Sequence, residues 1–127
     1  MAGAATEVAA QDAAEQPEGH VNEVRLRGRV AADPEDRELP SGDRVVTARL
    51  VVARPQGPAR LRQPIDVLDC VAWTGRAQRL VAGWSAGTVV EVEGAIRRRF
   101  RRTAGGVTSR VEIEIHTGRR VSPRRRA

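Results

Sequence analysis

Aromatic residues are nearly missing from this chain: two tryptophans, one phenylalanine and no tyrosine in 127 residues. The core must therefore be packed from Val, Leu, Ile and Ala, and any role for a flat ring falls to Trp73, Trp84 or Phe100. There is one cysteine, Cys70, which excludes an internal disulfide and a zinc site built of cysteines. It stands in the apolar run Val67-Leu68-Asp69-Cys70-Val71-Ala72-Trp73 and is expected to be a small buried apolar side chain. No run of about eighteen apolar residues occurs, so no transmembrane helix is expected. The N-terminus has neither the basic nor the apolar region of a secretory signal, and a cytoplasmic location is the expectation. No Ser–His–Asp set, P-loop or GxGxxG pattern is visible, so no catalytic residue and no cofactor is expected, and the chain is read as not an enzyme. Glu112, Glu114 and His116 fall on one strand face by alternation. Those are metal-ligand types, but a solvated polar face explains them as well, and no metal is expected.

Lysine is also absent: all 22 basic side chains are arginine. A chain rich in Ala, Gly, Val and Arg has the composition of a GC-rich genome, which explains the choice of arginine but not the excess of cations over acids. The formal net charge is +6. Four of the 16 acids (Glu7, Asp12, Glu15 and Glu18) lie in residues 1–20, which hold no arginine; the other 12 face all 22 arginines, a balance of +10. A compact domain with that balance points to a polyanionic partner: DNA, RNA or an acidic surface.

At this length the chain holds one domain with one modest core. Residues 1–20 are rich in Ala, Glu and Gln without periodicity and read as a disordered acidic tail. Residues 21–121 read as the folded domain, and residues 122–127 as a basic tail. Strict alternation begins at Asn22: Val24, Leu26, Gly28 and Val30 take one face and Arg25, Arg27 and Arg29 the other. A short strand is expected over Asp36–Leu39, between the turn residues Asp33-Pro34 and Pro40-Ser41-Gly42-Asp43. A long strand follows over Arg44–Arg54, and Pro55-Gln56-Gly57-Pro58 opens a loop holding Arg60 and Arg62. Ile65–Trp73 reads as a strand. Ala77, Leu80 and Val81 then recur at helical spacing, predicting a short helix over Thr74–Gly83. Val89–Arg102 and Val107–Arg120 read as a hairpin turning through Thr103-Ala104-Gly105-Gly106. Five strands with one short helix between the third and fourth is the order of the OB-fold, an all-β, five-stranded Greek-key barrel. The alternative, an SH3-like barrel, would not need the helix.

The segment Arg97-Arg98-Arg99-Phe100-Arg101-Arg102 sets five arginines around one aromatic. Alternation puts Arg97, Arg99 and Arg101 on one face, with Arg98, Phe100 and Arg102 on the other. Guanidinium groups bond phosphate through two N–H groups and stack on bases. The competing reading is a solvated edge that protects a long hairpin from aggregation; a cluster of one sign this dense favours binding. Arg25, Arg27, Arg29, Arg49 and Arg54 extend the candidate path. Asp69 would oppose phosphate nearby.

Specific residues carry a resemblance. Asn22 through Val30, then Asp33-Pro34-Glu35, Arg37 and Ser41-Gly42, resemble the opening of bacterial single-stranded DNA-binding proteins. Cys70-Val71-Ala72-Trp73, the helix with Ala77, then Gly87 and Val90-Glu91-Val92-Glu93-Gly94, are similar to the same family's third and fourth strands. The resemblance runs from about Asn22 to Val121. It implies an OB-fold assembled as a homotetramer, associated with the nucleoid, that binds single-stranded DNA on aromatics and cationic grooves during replication, recombination or repair. It also implies that Trp73 is a stacking platform, whereas Trp84, after the helix, is expected in the core. At two other stacking positions this chain has Gln56 and Val67, and Phe100 lies one residue early, which turns a side chain to the opposite face unless a bulge restores it. The family's acidic C-terminal tip has no counterpart in Ser122-Pro123-Arg124-Arg125-Arg126-Ala127, so its recruiting role is not carried over. Two other readings remain open: an RNA-binding OB module, and an accessory barrel that binds mainly a protein partner.

Overall fold

The protein is described here by a computed structural model covering residues 18–121. The basic tail and most of the acidic tail expected from the sequence lie outside the described residues. The elements in order are β1 (Val24–Val30), β2 (Glu35–Glu38), β3 (Arg44–Ala53), α1 (Pro58–Arg62), β4 (Ile65–Ala72), α2 (Gly75–Ala82), β5 (Val89–Thr103) and β6 (Gly106–Arg120). The sheet runs β1-β5-β6-β4-β3-β2, and a β1–β3 pairing closes five of these strands into a barrel. β2 hangs on the outside of β3, with Glu35 opposite Thr47 and Glu38 opposite Arg44.

Alternation places the core. Val30, Val46, Ala48, Leu50, Cys70, Ala72, Val90, Val92, Ile113 and Ile115 point inward. Such branched and small side chains fill a narrow barrel without rings. Helix α2 closes one end through Ala77 and Val81, with Trp84 behind them, only 5% exposed. Thr74 caps α2, its hydroxyl accepting from the Ala77 amide at 3.1 Å. The buried Trp84 agrees with the reading from sequence. The strand ends differ from it by a residue: β3 stops at Ala53, β4 at Ala72, and the hairpin strands reach Thr103 and Gly106. β2 starts and ends one residue early, because its register with β3 begins at Glu35. The loop after Pro55 contains a single turn of helix, α1, with Pro58 first, where its missing N–H costs nothing; five residues are too few to show a period.

Glycine is required where strands cross closely. A Cβ on Gly28 would lie 2.5 Å from the Val51 carbonyl oxygen, at the seam where β1 meets β3. A bulge marks the other tight point. Glu93 pairs with Thr117 and Gly94 with Ile115, so His116 is an extra residue on β6. His116 therefore leaves the strict alternation of Glu112 and Glu114, although its Nε2 stays 3.6 Å from Glu114.

On the outer face of β1, β5 and β6, Glu91 receives Arg27 at 3.1 Å, Arg25 at 3.2 Å and Arg119 at 3.1 Å. The Arg27 hydrogen bond, against the opposing effect of burial and aided by Arg25 and Arg119, holds this carboxyl below its usual range. A carboxyl with a lowered native value stabilises the fold above its unfolded titration and loses that contribution as pH falls through the lowered value. Glu91→Gln should therefore be less stable than the wild type near neutral pH. The gap should close below about pH 4, under the ordinary glutamate value. Urea unfolding of both proteins across pH checks this; a gap that widened toward acid would contradict it.

Candidate nucleic-acid interface

The outward side chains of four strands meet on one face. β3 supplies Val45, Thr47 and Arg49; β4 supplies Asp69 and Val71, followed by Trp73. β6 runs parallel to β4, with Val71 beside Glu114, and so adds Glu112 and Arg110. β5 adds Arg97, Arg99 and Arg101, opposite Glu112, Arg110 and Thr108. Val45 and Val71 are buried although they lie outside the core cluster, so the face is concave there. A cleft of about 470 Å³ opens between the β5–β6 hairpin and the β2–β3 turn, lined among others by Arg37, Val45, Arg99, Phe100, Arg101 and Glu112.

Trp73 is half-buried on this face, and the Arg99 guanidinium lies over its ring, 4.9 Å from the centroid. That is cation–π distance. Around this contact the arginines are interleaved with carboxylates. Arg97 bonds Glu114 at 2.6 Å and Arg99 reaches Glu112 at 3.6 Å. Asp69, which the sequence suggested would repel phosphate, is held by Arg110 at 2.6 Å and Arg49 at 3.3 Å. Among the described residues Arg101 and Arg102 have no carboxylate partner. Glu112 is tightly placed: its side chain is 12% exposed, and its Oε1 has no hydrogen-bond partner among the described residues. Beneath, burial, and then the charges of Asp69 and Glu112, push the Cys70 thiol up to about 12, which leaves it an inert core side chain.

The candidate residues from sequence thus divide. Trp73, Arg49, Arg97, Arg99 and Arg101 come together on the one face. Phe100 and Arg102 do not share it: they pair with Ser109 and Val107 on the opposite side of the ribbon. The bulge falls on β6, at His116, and does not turn β5, so Phe100 stays opposite in register while lining the cleft edge, 69% exposed. Arg54 forks onto Asp66, with contacts of 2.9 to 3.1 Å, away from the face. Arg29 stands on β1 beside Val51. Sequence reading missed Arg37, Arg110 and the pairing role of Glu112 and Glu114. The hairpin register was the available signal: a turn at Ala104-Gly105 sets Arg110 opposite Arg99.

A five-stranded barrel with this strand order, capped by a helix between β4 and β5, with a concave basic face around one tryptophan, is an OB-fold. The family model described as "Single-strand binding protein family" matches residues 21–121, and the chain belongs to that family. It is 34% identical over 79 residues to Single-stranded DNA-binding protein 3 of Listeria innocua, covering 62% of this chain and 49% of that protein. It is 32% identical over 79 residues to Single-stranded DNA-binding protein A of Bacillus subtilis, covering 62% of this chain and 46% of that protein. The chain thus spans about half the length of the curated relatives it matches. Among solved structures, a chain of the Plasmodium falciparum SSB complex with ssDNA superposes with a TM-score of 0.64 at 23% identity, covering 84% of this chain and 97% of that one. That likeness confirms the OB-fold expected from the element order. No helix among the described residues is long and apolar enough to cross a membrane.

Proposed function

We propose that this protein binds single-stranded DNA with little sequence preference, without catalysis or cofactor, in replication, recombination or repair. The observation that carries the reading is the Arg99 guanidinium lying over the half-buried Trp73 ring on a face lined with arginines. A ring that holds a flat cation offers the same surface to a base, and the displaced arginine is then beside the phosphate track. Arg49, Arg97, Arg99 and Arg101 line that track, and Phe100 and Arg102 contact the strand from the hairpin edge. Arg29 extends the path around the barrel, and Arg54 reaches it only by leaving Asp66.

Trp73→Ala should weaken single-strand binding by about 1–3 kcal/mol, with little change in its salt dependence. The fold should survive, since Trp84 rather than Trp73 belongs to the core cluster. Fluorescence anisotropy of a labelled oligonucleotide across salt concentrations, with RNA and duplex DNA alongside, tests the reading. Equal affinity for duplex, or a variant that unfolds instead of losing affinity, would overturn it.

The same proposal includes a homo-oligomer, a tetramer as in the family resemblance. β1 pairs with β3 only at Arg29 and Val30, and Gly28 lies close against Val51, which leaves the edge of Val24–Arg27 on that side open for another strand. Sedimentation should give a mass well above one chain; a monomer mass at every concentration would rule the assembly out.

A further inference from the structure

Helix α2 leaves the basic face directly after Trp73. Thr74 caps it, and the Gln78 side-chain amide donates to the Trp73 carbonyl at 2.9 Å. Ala77 and Val81 turn inward, while Arg76 and Arg79 stand exposed on the other side, one turn apart. Arg79 points back toward the tryptophan: a Cβ on Gly75, two residues past Trp73, would be 3.3 Å from its Nη1. At the far end of the helix the Arg120 guanidinium donates to the Gly83 carbonyl.

No aspartate or glutamate occurs between Cys70 and Val90. Nearby, Asp33 accepts from the Ala86 amide at 2.8 Å, and Asp36 bonds Arg44 at 2.8 Å, with Glu38 opposite Arg44 across the β2–β3 pairing. Among the described residues Arg76, Arg79 and Arg120 have no carboxylate partner. The strand face is different: Arg49, Arg97, Arg99 and Arg110 each hold a carboxylate. A phosphate that reaches those four competes with an anion already there. On α2 it meets two like charges that repel each other, and it relieves that repulsion.

We infer that a single strand stacked on Trp73 continues over α2, its phosphates taken by Arg76 and Arg79 and, at the end of the helix, by Arg120. This rests on the single-stranded DNA reading given above and extends the contact past the strand face. Phosphate contacts carry no sequence information, so the extension agrees with little sequence preference.

The test replaces both helix arginines in the full chain, as Arg76→Gln with Arg79→Gln. Both side chains are exposed, and glutamine is about as good a helix former as arginine, so the fold should hold. The probe is a labelled oligo(dT) of about 30 nucleotides, longer than the roughly 4–16 that one OB-fold covers. Affinity should fall about tenfold near 0.1 M salt, and the salt slope should flatten by about 1.4, the share of two phosphate contacts. Arg76→Lys with Arg79→Lys keeps both charges and should keep the slope, which separates phosphate contact from packing. Unchanged affinity and slope in the glutamine pair, or a lysine pair as weak as the glutamine pair, overturns the inference while the wild type still binds. A wild type that does not bind the oligonucleotide overturns the single-strand reading itself, and this path with it.

Discussion

Replacing Arg97, Arg99 and Arg101 together with alanine is expected to lower affinity for single-stranded DNA roughly a hundredfold near 0.1 M salt and to flatten the salt dependence by about 2 in slope. Each phosphate contact to a single strand contributes roughly 0.7 to that slope, because neutralising the phosphate releases condensed counterions. The three side chains occupy one face of β5, and the proposed track runs along them. Two of them also mask carboxylates: Arg97 holds Glu114, and Arg99 reaches Glu112. The triple variant therefore loses three cations and also uncovers two anions where the strand would run. Adding Glu112→Gln and Glu114→Gln to the triple variant should recover part of the affinity without restoring the slope. Salt titrations of the three proteins check both effects. Unchanged affinity and slope in the triple variant would identify the hairpin as a solvated edge.

Gly94→Ala is expected to be the most damaging single substitution in the barrel. A Cβ there would run into the Glu114 carbonyl oxygen and lie 2.9 Å from its carbon. Both are backbone atoms of a paired strand, so β5 and β6 must separate at the bulge. Overpacking a well-fitted interior commonly costs about 1–3 kcal/mol, and backbone contact this close places the effect at about 3 kcal/mol or more. That is a large share of the roughly 5–15 kcal/mol typical of a domain. Gly105→Ala, with nothing within 4 Å of its Cβ, is the control and should change little. Urea unfolding of both variants decides it; equal midpoints would show that the bulge absorbs the methyl group.

The fold was largely legible because it rests on alternation. Val24–Val30 and the long β5–β6 hairpin state their period in the sequence, and Thr74 with Ala77, Leu80 and Val81 states the helix. The candidate site was legible only in part. Alternation sorted Arg97, Arg99 and Arg101 onto one face, but it could not show that β6 runs parallel beside β4, which brings Glu112, Glu114 and Arg110 to Asp69 and Trp73. Those partners are set by strand order, a long-range property. Arg54 shows the converse. Its spacing fitted a basic path, yet its nearest carboxylate, Asp66, lies across a strand pairing that local sequence does not reveal.

The barrel closes at two narrow places. β1 meets β3 through two residue pairs, and β4 meets β6 through two, Cys70 with Ile113 and Val71 with Glu114. The ring is thus two antiparallel halves, β1-β5-β6 and β2-β3-β4, each well laddered within itself and lightly joined to the other. Such halves are natural units of partial opening, with the joints at the low end of local stability. The Trp73–Arg99 contact and the Arg110–Asp69 pair both span the β4–β6 joint. A strand of nucleic acid laid across them would act as a clasp: bound only by the closed barrel, it would suppress the hinge-like breathing of the two halves in proportion to its occupancy.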